Sequence, residues 1–288
     1  MLKDKLAAPV LKWVGGKRQI LSNIMKYVPG DFESYYEPFL GGGAVLFAIQ
    51  PRKAWVNDIN SELMNVYTMI KNNVEELVES LKKHNGAYKQ HKKPQNYFYK
   101  IRELDRDKDT YNSLTPVEKA SRIIFLNKTC FNGLFRVNKA GQFNTPFGYY
   151  ENPNIINEKT LRAVSNYFNK ADIKITCDDF ETVLKNASES DFVYLDPPYD
   201  PLSDTASFTA YDRTGFDSEE QVRLSRVCHK LNKRGVRFLL SNSATSFIID
   251  LYKSKDYRIE IIKARRAVNA RGDSRGNVEE VLVRNFGF

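Results

Sequence analysis

Apolar positions along this chain fall into short runs separated by stretches at helical spacing. Tyr35-Tyr36-Glu37-Pro38-Phe39 reads as a buried strand running into Gly41-Gly42-Gly43, after which Ala44 to Ile49 begins a helix. Ala54-Trp55-Val56 predicts a second short strand ending in Asn57-Asp58. Further strands are predicted at Ile173–Thr176, Phe192–Leu195, Val236–Leu240, Tyr257–Ile262 and Val278–Asn285. Strands alternating with helices predict an α/β fold.

Residues 61–155 break that rhythm. Leu63, Val66, Tyr67, Ile70, Val74, Leu77 and Leu81 lie close to helical spacing, which predicts helix from Ser61 to His84. Thr115-Pro116-Val117-Glu118 combines a capping box with proline at the first helical position, a strong helix start. Phe135-Arg136-Val137, the turn Asn138-Lys139-Ala140-Gly141 and Gln142-Phe143-Asn144 then read as a β-hairpin. The chain is therefore read as one α/β domain, residues 1–60 and 156–288, carrying a mostly helical insertion at 61–155.

Composition narrows the class only a little. With 288 residues, 42% hydrophobic and 27% charged, the chain suits a globular domain with a sizeable core. No apolar run near the N-terminus suggests a signal peptide, and none approaches the roughly 18 residues of a membrane span. The three cysteines are scattered, which argues against a disulfide framework or a zinc site and makes a reducing cytoplasm the expected compartment. The net charge of +9 favours polyanionic partners.

Three segments carry candidate chemistry. A strand, a glycine turn, a helix and an acid closing the next strand form a nucleoside-binding arrangement. Its glycines let the backbone approach the ligand, and Asp58, seventeen residues after Gly41, can hold ribose hydroxyls. The turn lacks the GxGxxG pattern, so a dinucleotide is not expected. Lys12-Trp13-Val14-Gly15-Gly16-Lys17-Arg18 is a second glycine turn before a helix. It fails as a Walker loop, because Arg18 follows Gly16-Lys17 and Leu11 holds the first glycine position. Its indole and ammonium suit the wall of a cofactor pocket.

The third segment, Asp196-Pro197-Pro198-Tyr199, follows the apolar strand Phe192–Leu195, at the strand end where open α/β sheets bind ligands. Two prolines fix the backbone and remove two N–H donors, leaving carbonyls to accept. Asp196 and the Pro197 carbonyl, accepting both N–H bonds of a planar amine, would aim its lone pair at an electrophilic methyl. Tyr199 would stack on the ring, and a base reached this way inside a duplex must be flipped out. A fourth match, Gly272-Asp273-Ser274-Arg275-Gly276, imitates a hydrolase elbow. It lies in the basic tract Lys263–Arg275, and His84, His91 and His229 all precede it, against that fold's triad order. The tract reads as a solvated loop or a phosphate contact.

In order and spacing, LKWVGGKR, EPFLGGG, the insertion and DPPY resemble the Dam-like family of DNA adenine methyltransferases in its alpha-class motif order, the group that includes GATC-specific enzymes. The resemblance runs from Leu11 to about Phe286. It implies a Rossmann-like S-adenosylmethionine-dependent methyltransferase sheet with a helical target-recognition insertion. It implies S-adenosylmethionine held by Trp13, Lys17, Phe39, Gly41, Gly43, Asp58, Asp179, Phe180 and Asp196, with Asp196, Pro197, Pro198 and Tyr199 at the reacting amine and no metal. Lys12 is similar to a lysine that contacts the first guanine of the target, and Arg136 to an arginine that reads guanine in the third base pair. Leu134 and Pro146 match apolar positions beside the target bases, Asn132 a polar one, and Phe131 stands where some relatives carry an intercalating tyrosine.

The implied activity is methylation of adenine N6 in double-stranded DNA, within GATC, by an enzyme paired with a cognate restriction endonuclease and associated with no membrane. Two alternatives stay open at this level. One is methylation of another planar amine, in RNA adenine, cytosine or protein glutamine. Asparagine in place of Asp196 would suit glutamine or RNA. The other is a DNA-binding regulator that only senses S-adenosylmethionine and has no need of an amine clamp.

Overall fold

The computed structural model describes residues 3–201, 215–265 and 277–287. The part of the basic tract at 266–275 and the hydrolase-like match at 272–276 lie outside these residues. A 3-10 turn at Lys17–Gln19 precedes α1 (Leu21–Met25), followed by β1 (Tyr35–Glu37), α2 (Ala44–Ile49) and β2 (Lys53–Asn57). A helical series follows: α3 (Ser61–Asn72), α4 (Val74–Gln90), α5 (Pro94–Glu103), α6 (Lys108–Ser113), α7 (Pro116–Thr129) and α8 (Glu158–Lys170). The chain then alternates through β3 (Asp172–Thr176), α9 (Phe180–Leu184), β4 (Phe192–Leu195), α10 (Ser218–Lys233), β5 (Arg237–Ser243), α11 (Ser246–Tyr252), β6 (Arg258–Arg265) and β7 (Asn277–Arg284).

The α/β expectation holds: seven strands form one sheet in the order β3-β2-β1-β4-β5-β7-β6. β1 lies parallel to β2 and β4, and β4 parallel to β5, while β7 runs antiparallel to both β5 and β6. The strand order reverses between β1 and β4. Crevices at the carboxyl ends of strands beside such a reversal are where open α/β sheets bind ligands.

The chain forms two compact units. The first comprises Met1–Gly16, Gly41–Arg52 and Asp58–Cys177, and the second Lys17–Leu40, Lys53–Asn57 and Asp178–Phe288. The 61–155 block lies wholly within the first, together with Gly15, Gly16, Gly41, Gly42 and Gly43, α8 and β3.

In the second unit, alternate residues of the central strands share one face. Val193, Leu195, Phe238, Leu240, Val281 and Val283 pack against Val183 of α9, Leu224 and Leu231 of α10, and Ile248 of α11. All four residues of β4 are buried, which explains its unbroken apolar sequence. β5 continues past its predicted end at Leu240 through Ser241-Asn242-Ser243, because hydrogen bonds satisfy those buried polar side chains.

In the first unit α7 is the central helix, buried from Ala120 to Asn127. The expected capping box on Thr115 and Glu118 starts it. Arg122 on this helix is about 2% exposed. Its guanidinium donates to the carbonyls of Ile101 and Arg102 and pairs with Asp105 at 2.8 Å. A buried charge needs this kind of full pairing.

Two local expectations are revised. The helix predicted over Ser61 to His84 is broken at Asn73, which leaves helical geometry at φ −138° and ψ 40°. Asn72-Asn73 competes with helical hydrogen bonding, and Glu75 and Glu76 then favour a fresh N-terminus. The hairpin has its turn, with Gly141 at φ +76°, and two main-chain bonds, Asn138 N–H to Gln142 O and Asn144 N–H to Arg136 O. It contains only the single bridge Val137↔Phe143 and no full strand, its arms being too short to extend the ladder.

Candidate active site

β1 and β4 each deliver a motif at their carboxyl ends. Beyond β1, Phe39 packs against Phe180 with centroids 5.4 Å apart and meets Phe216 edge-on at 5.6 Å. Phe180 begins α9, whose N-cap Asp179 accepts the Glu181 N–H at 2.9 Å. Asp179 also pairs with Arg223 of α10, whose guanidinium lies 4.2 Å from the Phe180 ring centroid. One acid therefore starts a helix and anchors the cation that covers its first aromatic ring.

Beyond β4, Asp196 Oδ1 receives the Lys17 ammonium at 2.7 Å and the Ser241 hydroxyl at 3.1 Å. Ser241 Oγ also lies 2.9 Å from the Tyr194 hydroxyl. Burial pushes the Asp196 carboxyl above its ordinary range, opposed by Lys17 and then Ser241. Among the described residues, Asp196 Oδ2 and the Pro197 carbonyl carry no hydrogen bond. The rest of the loop is pinned. Gln221 donates to the Pro198 carbonyl at 2.8 Å, and Asn242 accepts the Asp200 N–H at 3.1 Å and bonds Gln221 in turn. Lys17 also sits 4.5 Å from the centroid of Tyr199, whose hydroxyl donates to Glu280 at 2.8 Å.

The first unit holds the remaining candidates. Asp58 accepts from Gly41 N–H at 2.9 Å and Asn60 N–H at 3.0 Å, closing the glycine turn. Gly41 has φ +48°, and a Cβ on it would stand 3.0 Å from the Trp13 ring, so the turn lies directly against the indole. Trp13 stacks on Phe135 at 4.9 Å, which joins the LKWVGGKR segment to the hairpin. Lys12 is exposed, and its main chain is bracketed by Asn127, which accepts its N–H at 3.0 Å and donates to its carbonyl at 2.8 Å.

Within the hairpin region, Asn132 takes φ +55° and Leu134 is half-buried, while Pro146 is exposed and accepts the Phe131 N–H at 2.8 Å. Phe131 is 51% exposed, unusual for so large an apolar ring. Arg136 is exposed and bonds Asn144 twice, Nε to Oδ1 at 2.7 Å and Nη2 to the carbonyl at 3.2 Å. Among the described residues its Nη1 makes no hydrogen bond.

The profile of the D12 class N6 adenine-specific DNA methyltransferases matches residues 13–268. The chain belongs to this family. It is 43% identical over 279 residues to the type II methyltransferase M1.LlaDCHI of Lactococcus lactis subsp. cremoris, across 97% of this chain and 95% of that protein. Over 291 residues it is 41% identical to the type II methyltransferase M.MjaIII of Methanocaldococcus jannaschii, across 96% and 99%. The DNA adenine methylase of Escherichia coli strain K12 is 30% identical over 273 residues, across 95% and 93%.

The D12 family transfers its methyl group from S-adenosylmethionine to adenine in DNA. For this methyltransferase, Gln221, Ser241, Asn242 and Glu280 surround the DPPY loop without having been singled out in the sequence. The signal available for three of them was polarity inside strands otherwise apolar. Among the described residues no helix is long and apolar enough to cross a membrane, and no group of three or more His, Cys, Asp or Glu could hold a metal ion.

Proposed function

We propose that this methyltransferase modifies the exocyclic N6 amine of adenine in double-stranded DNA, within GATC, as the partner of a cognate restriction endonuclease. The observation that carries the chemistry is the half-filled clamp. Asp196 Oδ1 is held by Lys17 and Ser241, while Oδ2 and the Pro197 carbonyl have no donor among the described residues. The adenine amine is a poor nucleophile because its lone pair is delocalised into the ring. Two acceptors that take both its N–H bonds turn that lone pair out toward the methyl. The step needs alignment more than a strong base, and no metal. Pro198, fixed through Gln221, holds the loop, and Tyr199 stacks on the flipped base.

S-Adenosylmethionine, when bound, supplies an electrophilic sulfonium methyl. Trp13, Lys17, Phe39, Gly41, Gly43, Asp58, Asp179, Phe180 and Asp196 are the residues assigned to hold it. Their chemistry fits. The turn at Gly41 and Gly43 offers bare backbone at φ +48° and +69°, and Phe39 with Phe180 offers the aromatic corner an adenine ring packs against.

DNA is assigned to Lys12, Phe131, Asn132, Leu134, Arg136 and Pro146. Asn144 anchors one side of the Arg136 guanidinium, which supports a fork oriented to give two bonds to a guanine edge. The exposed Phe131 ring suits a wedge between bases. The GATC assignment rests on the likeness of this hairpin to GATC-specific members. The endonuclease pairing rests on the type II names of the relatives at 43% and 41% identity.

The test is methyl transfer from labelled S-adenosylmethionine to duplexes with GATC and to duplexes of scrambled sequence. Labelling confined to GATC supports the assignment, and equal labelling overturns the target while leaving the chemistry. Asp196→Ala is expected to abolish transfer while DNA binding persists. Turnover near the wild-type rate would remove the clamp from the mechanism.

A further inference from the structure

One charged member of the cluster around the DPPY loop has no part in the chemistry above. Glu280 lies on β7, paired across the sheet with Ser243 of β5 on one side and Ile262 of β6 on the other. Its Oε2 accepts the Tyr199 hydroxyl at 2.8 Å. Burial pushes the Glu280 carboxyl above its ordinary range, and Asp196 adds to that push, against Tyr199 and Lys17. A half-buried carboxylate costs stability unless its bonds are used. Here the bond goes to the one aromatic side chain of the motif.

The geometry supplies the reason. A tyrosine ring at the end of a loop can turn about two side-chain torsions unless its far end is tied. The Lys17 ammonium lies over the ring, 4.5 Å from its centroid, and favours one plane for it but does not tie down its far end. A hydroxyl bond to a strand with neighbours on both sides fixes the far end of the ring, and with it the direction of the ring axis. Residues that contact a reacting group are held to the required precision by a supporting shell of this type.

We propose that Glu280 is a positioning residue for methyl transfer, anchoring the Tyr199 ring against which the target adenine is held. The proposal rests on the reading of Tyr199 as the residue that stacks on the flipped base. It concerns the chemical step, because a small misplacement of the reacting groups lowers kcat while binding persists.

The experiment measures methyl transfer under single-turnover conditions, with labelled S-adenosylmethionine and plasmid DNA lacking N6-methyladenine. The variants are Glu280→Ala, Glu280→Gln, Tyr199→Phe, Tyr199→Ala and the double variant Glu280→Ala/Tyr199→Phe. Loss of one charge-assisted hydrogen bond corresponds to a rate loss of about ten- to a hundredfold. Glu280→Ala and Tyr199→Phe are each expected to lose that much, and the double variant no more than either. KM for S-adenosylmethionine stays unchanged, and Glu280→Gln, which keeps an acceptor, recovers most of the rate.

A structural role for Glu280 would lower stability without this non-additivity, so multiplying losses in the double variant overturn the proposal. If Tyr199→Ala is inactive while Tyr199→Phe and Glu280→Ala transfer at the wild-type rate, Glu280 loses its role and the stacking reading stands. If Tyr199→Ala itself retains the wild-type rate, the stacking reading falls and the proposal with it. Should Glu280→Ala not fold, Tyr199→Phe decides: the expected loss supports the tether, and a wild-type rate overturns it.

Discussion

Lys17→Met tests the electrostatics of the clamp most directly. The Lys17 ammonium lies 2.7 Å from Asp196 Oδ1, and the two side chains are 7% and 19% exposed, so the pair is largely removed from water. Taking away one partner of a buried pair leaves the other charge uncompensated, at a typical cost of about 3–5 kcal/mol. The residual exposure of Asp196 argues for the lower end, about 3 kcal/mol, and loss of the cation beside Tyr199 adds about 0.5–1 kcal/mol. The carboxyl can escape by taking up a proton. Loss of the ammonium, which opposes the rise that burial imposes on this carboxyl, therefore raises it further.

The sign of the pH effect follows. A carboxyl raised above its unfolded value favours folding when protonated, and that contribution disappears as pH rises through the folded pKa. Urea unfolding should therefore show the variant about 3 kcal/mol less stable than wild type near pH 8 and closer to it near pH 5. A deficit below about 1 kcal/mol, or one of the same size at both pH values, would refute the argument, because Asp196 would then not depend on Lys17.

Other outcomes follow from the same structure. Methyl transfer should fall on acidification with an apparent pKa above the ordinary carboxylate value of about 4, since a protonated Asp196 accepts poorly. An acid limb at or below that value contradicts the raised carboxyl. Gly43→Ala should cost about 1–3 kcal/mol in thermal unfolding, because φ is +69° and the new Cβ would meet the Phe47 ring at 2.9 Å. Gly86→Ala, in α4 with nothing near the new Cβ, should instead stabilise by about 0.5–1 kcal/mol, and equal effects at the two glycines would contradict the geometry. Asn127→Ala removes three bonds, to Lys12 N–H, Lys12 O and Gly133 O, and should cost about 2–3 kcal/mol by urea unfolding. A loss under about 0.5 kcal/mol would mean that this amide does not brace the segment.

What the sequence revealed, and what it hid, divides along contact range. The DPPY loop, the glycine turn with Asp58 and the Thr115 cap were legible because each is complete within a few residues or one strand-turn-strand unit. Periodicity located the strands and the helical block but ran through the Asn73 break, because apolar spacing continues on both sides of it. It also gave no warning that Arg122 is buried. Its partners are carbonyls on α5 and the acid after it, and main-chain acceptors leave no mark on sequence.

The supporting shell of the clamp was hidden for a related reason. Ser241 reaches Asp196 because β4 and β5 pair parallel with Leu195 opposite Leu240, and Glu280 reaches Tyr199 because β5 and β7 pair antiparallel in a register that sets Ser243 opposite Glu280. No local pattern encodes that register. Yet each strand carried an anomaly that could have been weighed: Ser241-Asn242-Ser243 prolongs an apolar strand, and Glu280 interrupts another. A polar side chain on a core strand is either a folding error or a residue with a partner. Where local rules fail in a natural sequence, functional sites are where the failure is expected. Both strand anomalies lie against the same four-residue loop, so the departures from pattern pointed to the site before the register explained them.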